Sequence, residues 1–77
     1  MKRGIFMNYQ RIRDLREDAD LSRPALVKQL YMHLTTYVHY ETGEREIPFN
    51  IAIMLAKFYN VSLDYIAGLT NEQRPLS

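Results

Sequence analysis

Thr35, Val38, His39 and Thr42 recur at spacings of three and four, which on a helix places them in one stripe, with Leu34 beside it at the N-terminal end. Tyr37, Tyr40 and Glu41 fall on the other side. The two tyrosines are the expected core anchors, so the Thr35/Val38/His39 face points outward. Small and polar side chains on an outward helix face, close to a helix N-terminus, suit contact with base edges in a DNA major groove. The solvated face of an ordinary small helical domain has the same spacing, and on spacing alone both readings stand. Metal chemistry fits poorly. His33 and His39 are six apart, so on a helix they point in different directions, and the chain has no cysteine. No metal site, cofactor or small-molecule ligand is expected. Catalysis fits no better, because acidic and basic residues scatter over helix surfaces with no Ser/His/Asp order and no Gly-rich phosphate loop. The chain is not expected to be an enzyme.

The helix that carries this stripe runs from Leu34 to Thr42, where Gly43 stops it. A shorter pattern precedes it. Ser22 is a good N-cap, Pro24 sits in the first turn where its missing N–H costs nothing, and Leu26, Val27 and Leu30 share a face. The pattern breaks at Tyr31-Met32-His33. Two helices this short, joined this tightly, cannot bury their faces on each other as an antiparallel pair. A steep crossing remains, which is the helix-turn-helix arrangement. His33 either caps the second helix, touches a phosphate, or is simply solvated.

The rest of the chain supports these two helices. Residues 1–7 read as an arm in which Lys2 and Arg3 are candidates for phosphate contact, with a disordered tail as the plainer reading. Asn8 caps a first helix whose buried face is Ile12 and Leu15, with Ala19 one turn on. Arg11, Arg13 and Asp14 are expected in solvent, and Asp20 is expected to end the helix in a left-handed conformation. After the charged connector GEREIP, Ile47 returns to the core and Pro48 opens the most apolar helix, 49–59, with Ile51, Ala52, Leu55 and Phe58 inward and Asn60 as its C-cap. Ser62 caps a last short helix, with Leu63, Ile66 and Leu69 inward and Gly68 as its stop. The fold class is all-α, five short helices around one core: a domain over 8–70 and a frayed tail over 71–77. Seventy-seven residues suffice for one small domain with little stability to spare. The formal net charge is only +1, so any electrostatic case for nucleic acid rests on where the charges lie. The start lacks an apolar run long enough for a signal peptide, and nothing approaches a membrane span.

The segments IRDLRED, LS with a helix behind it, TTYVHYETGEREIP and LAKFYNVSLDYIAGLT together resemble the Cro/C1-type, or XRE-type, helix-turn-helix domains of bacterial and phage repressors. YExGxRxxP followed at this distance by NVSLDYxxGxT is the specific part, and the resemblance covers 12–70. It implies a lambda-repressor-like fold whose third helix, about 34–42, reads the major groove of double-stranded DNA, in a cytoplasmic transcriptional regulator of repressor type. Carried over by position, Leu34 and Thr35 lead the base-reading set and Val38 and His39 read further along. Arg23 stands where Gln is usual, contacting a phosphate and supporting a base contact. Ser22, His33, Thr36, Thr42 and Arg45 match backbone-contacting positions. Arg16 and Glu41 match a structural ion pair that ties helix one to helix three.

The departures from the family pattern are informative. Leu34 replaces Gln, Arg or Ser, Val38 replaces a small polar residue, His39 replaces Lys or Arg, and Tyr31 fills a turn position where Gly or Asn is usual. The reading face is therefore apolar and short of fixed charge. It suits a thymine-rich site read by methyl contact, a face rewritten by nature or design for another sequence, or a domain that now binds a protein through Leu34, Thr35, Val38 and His39. No separate oligomerisation or ligand-binding domain is expected after helix five. A homodimer on DNA and a monomer both remain open.

Overall fold

The computed structural model describes residues 9–74, and among these it forms five helices and no strand. They are α1 (Tyr9–Asp18), α2 (Arg23–Leu30), α3 (Leu34–Thr42), α4 (Phe49–Tyr59) and α5 (Leu63–Ile66). The all-α class and the order of elements are as the sequence predicts. The expectations for residues 1–7, Asn8 and 75–77 lie outside the described residues.

Three of the connections share one plan. α1, α2 and α4 are each followed by a non-glycine residue in the left-handed region, at Asp20 (φ 57°), Tyr31 (φ 56°) and Asn60 (φ 57°). An apolar residue comes next, and its N–H reaches back to a carbonyl of the last turn: Leu21 to Arg16 at 3.1 Å, Met32 to Val27 at 3.0 Å, Val61 to Ala56 at 3.0 Å. This backward bond satisfies a carbonyl that the helix end would orphan, and the turn carries the apolar side chain towards the core. The third residue is the N-cap of the next helix: Ser22, His33 and Ser62. The Ser22 hydroxyl accepts from the Ala25 N–H at 3.1 Å and the Ser62 hydroxyl from the Tyr65 N–H at 2.9 Å. His33 holds the same position without a side-chain capping bond.

The core joins all five helices. Ile12, Leu26, Tyr37, Ala52, Leu55 and Ile66 are fully buried. Each aliphatic side chain of Leu or Ile size contributes about 1.5–3 kcal/mol by leaving water. α3 packs on α1 and α2, and α5 packs on α1 and α4, so the third helix is gripped from behind. In α4 the deepest stripe is Ala52, Leu55 and Ala56, with Ile51 and Phe58 half-buried on its flanks.

Four expectations need correction. Ala19 is exposed, because α1 ends at Asp18 and the chain has begun its left-handed turn. Leu69 is 62% exposed, because α5 ends at Ile66 and Gly68 (φ 81°) turns the chain outward. Arg11 is not free in solvent: it donates to the carbonyls of Tyr65 (3.1 Å) and Thr70 (2.9 Å) and to Asn71 Oδ1 (2.9 Å), with its guanidinium 4.1 Å from the Tyr65 ring centre. The described part of the tail is accordingly docked. The Ser62 N–H donates to the Gln73 carbonyl at 2.7 Å, and Gln73 Nε2 donates to the Tyr65 hydroxyl. Among the described residues no helix is long and apolar enough to cross a membrane.

Candidate nucleic-acid interface

α3 is amphipathic in the sense the sequence predicts. Tyr37, Tyr40 and Glu41 are its buried residues. Leu34 and Thr35 are exposed and Val38 and His39 half-buried along the outer side, and Thr36 is half-buried. A helix of this kind, about 10–12 Å across with its side chains, matches a major groove about 12 Å wide. Leu34, at 41% exposed, is among the largest apolar side chains the surface presents, and Tyr31 on the adjoining turn is 96% exposed. Both are available to a partner.

Around this face the candidate backbone-contacting residues are at the surface. His33 and Arg45 are exposed, as are Ser22 and Thr42. The Ser22 oxygen is occupied as a cap acceptor, which leaves its O–H as the donor for a phosphate. The Thr42 hydroxyl lies 3.3 Å from both the His39 carbonyl and Glu44 Oε1. Glu44 is a feature that the sequence reading missed: its carboxylate lies 3.4 Å from His39 Nε2, just across Gly43 from the helix. It sets an acid beside the imidazole at the C-terminal end of the reading face.

Behind the face lies a buried charge cluster. Glu41 Oε2 accepts from Arg16 Nε and from the Tyr37 hydroxyl, each at 2.6 Å. Glu41 Oε1 accepts from Arg16 Nη2 at 3.2 Å and from Arg23 Nε at 3.0 Å. The expected Arg16–Glu41 pair is present, and it ties α1 to α3. Burial alone pushes the Glu41 carboxyl up, but the donors on Arg16, Tyr37 and Arg23 outweigh it and hold the group below its ordinary range. Burial, reinforced by the bond to Glu41, pushes the Tyr37 phenol up, so it stays a donor. Tyr59 is pushed up to about 12 by burial, and its buried hydroxyl has no hydrogen-bond partner among the described residues.

Sequence reasoning missed two members of this cluster. Tyr37 and Glu41 are four apart on α3, a spacing that places them together, yet the tyrosine reads first as a core anchor. Arg23 is 18 residues from Glu41, and no local spacing signals that contact. The structure brings Arg23 to the ion pair rather than leaving its whole guanidinium free. Among the described residues there is no cluster of His, Cys, Asp or Glu able to hold a metal ion.

The sequence model of the helix-turn-helix family matches residues 12–66, which covers all of α2 through α5 and most of α1. The chain is similar to an uncharacterized HTH-type transcriptional regulator, YobD, of Bacillus subtilis (strain 168). The two are 35% identical over 69 residues, which span 90% of this chain and 62% of that protein. The chain thus spans about three fifths of its relative's length. No solved structure matches it. With α2 and α3 joined through Tyr31, Met32 and His33, α3 held from behind by α1, and the family match over this whole unit, the chain belongs to the Cro/C1-type helix-turn-helix family.

Proposed function

We propose that this chain binds double-stranded DNA sequence-specifically, with α3 in the major groove, as the recognition module of a small transcriptional regulator. The observation that carries this reading is the outer side of α3: Leu34, Thr35, Val38 and His39 face out while Tyr37, Tyr40 and Glu41 anchor the opposite side. Leu34 and Val38 pack against thymine methyl groups, and Thr35 and His39 supply the hydrogen bonds. Ser22, His33, Thr36, Thr42 and Arg45 set the register on the sugar-phosphate backbone, and Arg23 contributes from the start of α2. A cytoplasmic site of action, on bacterial or phage DNA, goes with this reading.

Selection from a random duplex pool, followed by titration of the winning sequence at two salt concentrations, tests it. The expected result is an enriched motif bound far more tightly than scrambled DNA, with that preference lost on Thr35 substitution. A symmetric motif would indicate a homodimer with half-sites about one helical turn apart, and an unsymmetric one a monomer. The exposed Leu34 and Tyr31 favour a second reading, a helix-turn-helix domain whose apolar face binds a protein. An absence of enrichment, with only weak salt-sensitive binding, would select that reading instead.

A further inference from the structure

Two guanidiniums converge on the Glu41 carboxylate, and they are used differently. Arg16 uses all three of its nitrogens inward, with Nε and Nη2 on Glu41 and Nη1 on the Leu21 carbonyl at 2.8 Å, and Nη2 also lies 4.0 Å from Glu17. Its side chain is only 11% exposed. Arg23 gives Glu41 its Nε alone, and its two terminal amino groups make no hydrogen bond among the described residues. Its side chain is 38% exposed. Charge points the same way. Tyr37 is a neutral donor, and Glu17 is shared between Arg16 and Arg13, so three arginines set against the two glutamates leave one surplus positive charge. Arg23 completes the satisfaction of the buried carboxylate through Nε alone, so the rest of its guanidinium is left over for a partner. The surplus sits at the first residue of α2, where the free N–H groups of the helix start add to the positive field. A guanidinium fixed through Nε offers its remaining amino groups as a planar pair, which matches two phosphate oxygens.

We infer that Glu41 is a positioning residue: its buried carboxylate fixes the Arg23 guanidinium through Nε and presents the two terminal amino groups to a phosphate of the DNA strand crossing the start of α2. This rests on the DNA-binding reading above and adds the device that orients one of its backbone contacts. It also places Arg23 with the phosphate-binding residues rather than the base-reading ones.

The test uses the full chain, with Arg23→Ala, Arg23→Lys and Glu41→Gln measured on the selected duplex and on scrambled DNA. Lysine is a single point charge, and once paired with Glu41 it has little left to present. Arg23→Lys is therefore expected to bind both duplexes as weakly as Arg23→Ala, about tenfold below wild type, with a salt slope shallower by about one. Its thermal midpoint should stay at the wild-type value, which separates positioning from a purely structural role. In the free wild type, the Arg23 Nε–H signal of 15N-labelled protein should be protected from solvent exchange. Glu41→Gln, if it folds, should lose both that protection and the affinity; if it does not fold, Arg23→Lys decides. Full rescue of affinity and salt slope by lysine would overturn the inference, because charge alone would then suffice, and so would an unprotected Nε–H. If the wild type selects no DNA, the reading beneath is what fails, and that result shows in the wild-type arm alone.

Discussion

His39 lies on the reading face with its Nε2 3.4 Å from Glu44 Oε1. A neutral imidazole donates one hydrogen bond and accepts another, so in the proposed contact set it reads a base edge. His39→Ala is expected to cost about 1–3 kcal/mol on the selected duplex and to relax the preference at one position of the motif. Titrations of wild type and variant check this; unchanged affinity and preference would remove His39 from the account. Glu41 gives a pH signature in stability. Its pKa in the folded chain lies below the ordinary value of 4.5, because its three donors outweigh burial. The stability it contributes is therefore fully present above that ordinary value and is lost as pH falls through the folded one. Urea denaturation should show wild-type stability holding down to about pH 5 and then declining. Tyr37→Phe removes one donor from the carboxylate, which costs about 1.5–3 kcal/mol at neutral pH and should make the acid decline smaller. An identical acid decline in both proteins would show that other carboxylates govern it.

At the scale of elements, the recurring connector of left-handed residue, apolar residue and N-cap is the feature to perturb. Two of its copies use residues suited to their jobs, Asp20-Leu21-Ser22 and Asn60-Val61-Ser62. The copy between α2 and α3 uses Tyr31, for which the left-handed region costs about 1–2 kcal/mol, and His33, which makes no capping bond. Tyr31→Asn should stabilise the domain by up to about 1 kcal/mol, since the tyrosine is almost fully exposed and gives up little packing. His33→Ser should add about 1 kcal/mol by capping α3. Thermal or denaturant unfolding of the two variants measures this; destabilisation in either would mean the side chain makes a contact its exposure conceals. The same connectors explain how much of the fold was legible. Caps, turn residues and helical periods are local signals, so the order and ends of α2, α3 and α4 follow from the sequence. Arg11 bridges to Tyr65, Thr70 and Asn71 across 54–60 residues of chain, and nothing in the local pattern of α1 announces it. The tail reads as frayed for the same reason. At the site, the outward stripe of α3 was visible in its period, and the Arg16–Glu41 pair followed from the family resemblance. The convergence of Arg23 and Tyr37 on one carboxylate required the folded chain.

The molecule as a whole is nearly neutral, with a formal net charge of +1, so long-range attraction to DNA is weak and the local cations must carry the electrostatics. Arg23 and Arg45 are the fixed positive charges in the proposed contact set. Glu44 and Glu46, exposed in the connector beside Arg45, oppose them. Each neutralised phosphate lowers the slope of log affinity against log salt by about 0.9, so one domain is expected to show a slope of about −2. A symmetric pair of domains would double that figure, so the slope, read together with the symmetry of the selected motif, reports the stoichiometry. Titrations across salt measure it. A slope that stays shallow while the motif remains strongly preferred would mean that specificity rests on methyl and hydrogen-bond contacts at the α3 face. A slope well beyond about −2 on an unsymmetric site would mean that cations outside this set, including Lys2 and Arg3, reach the backbone.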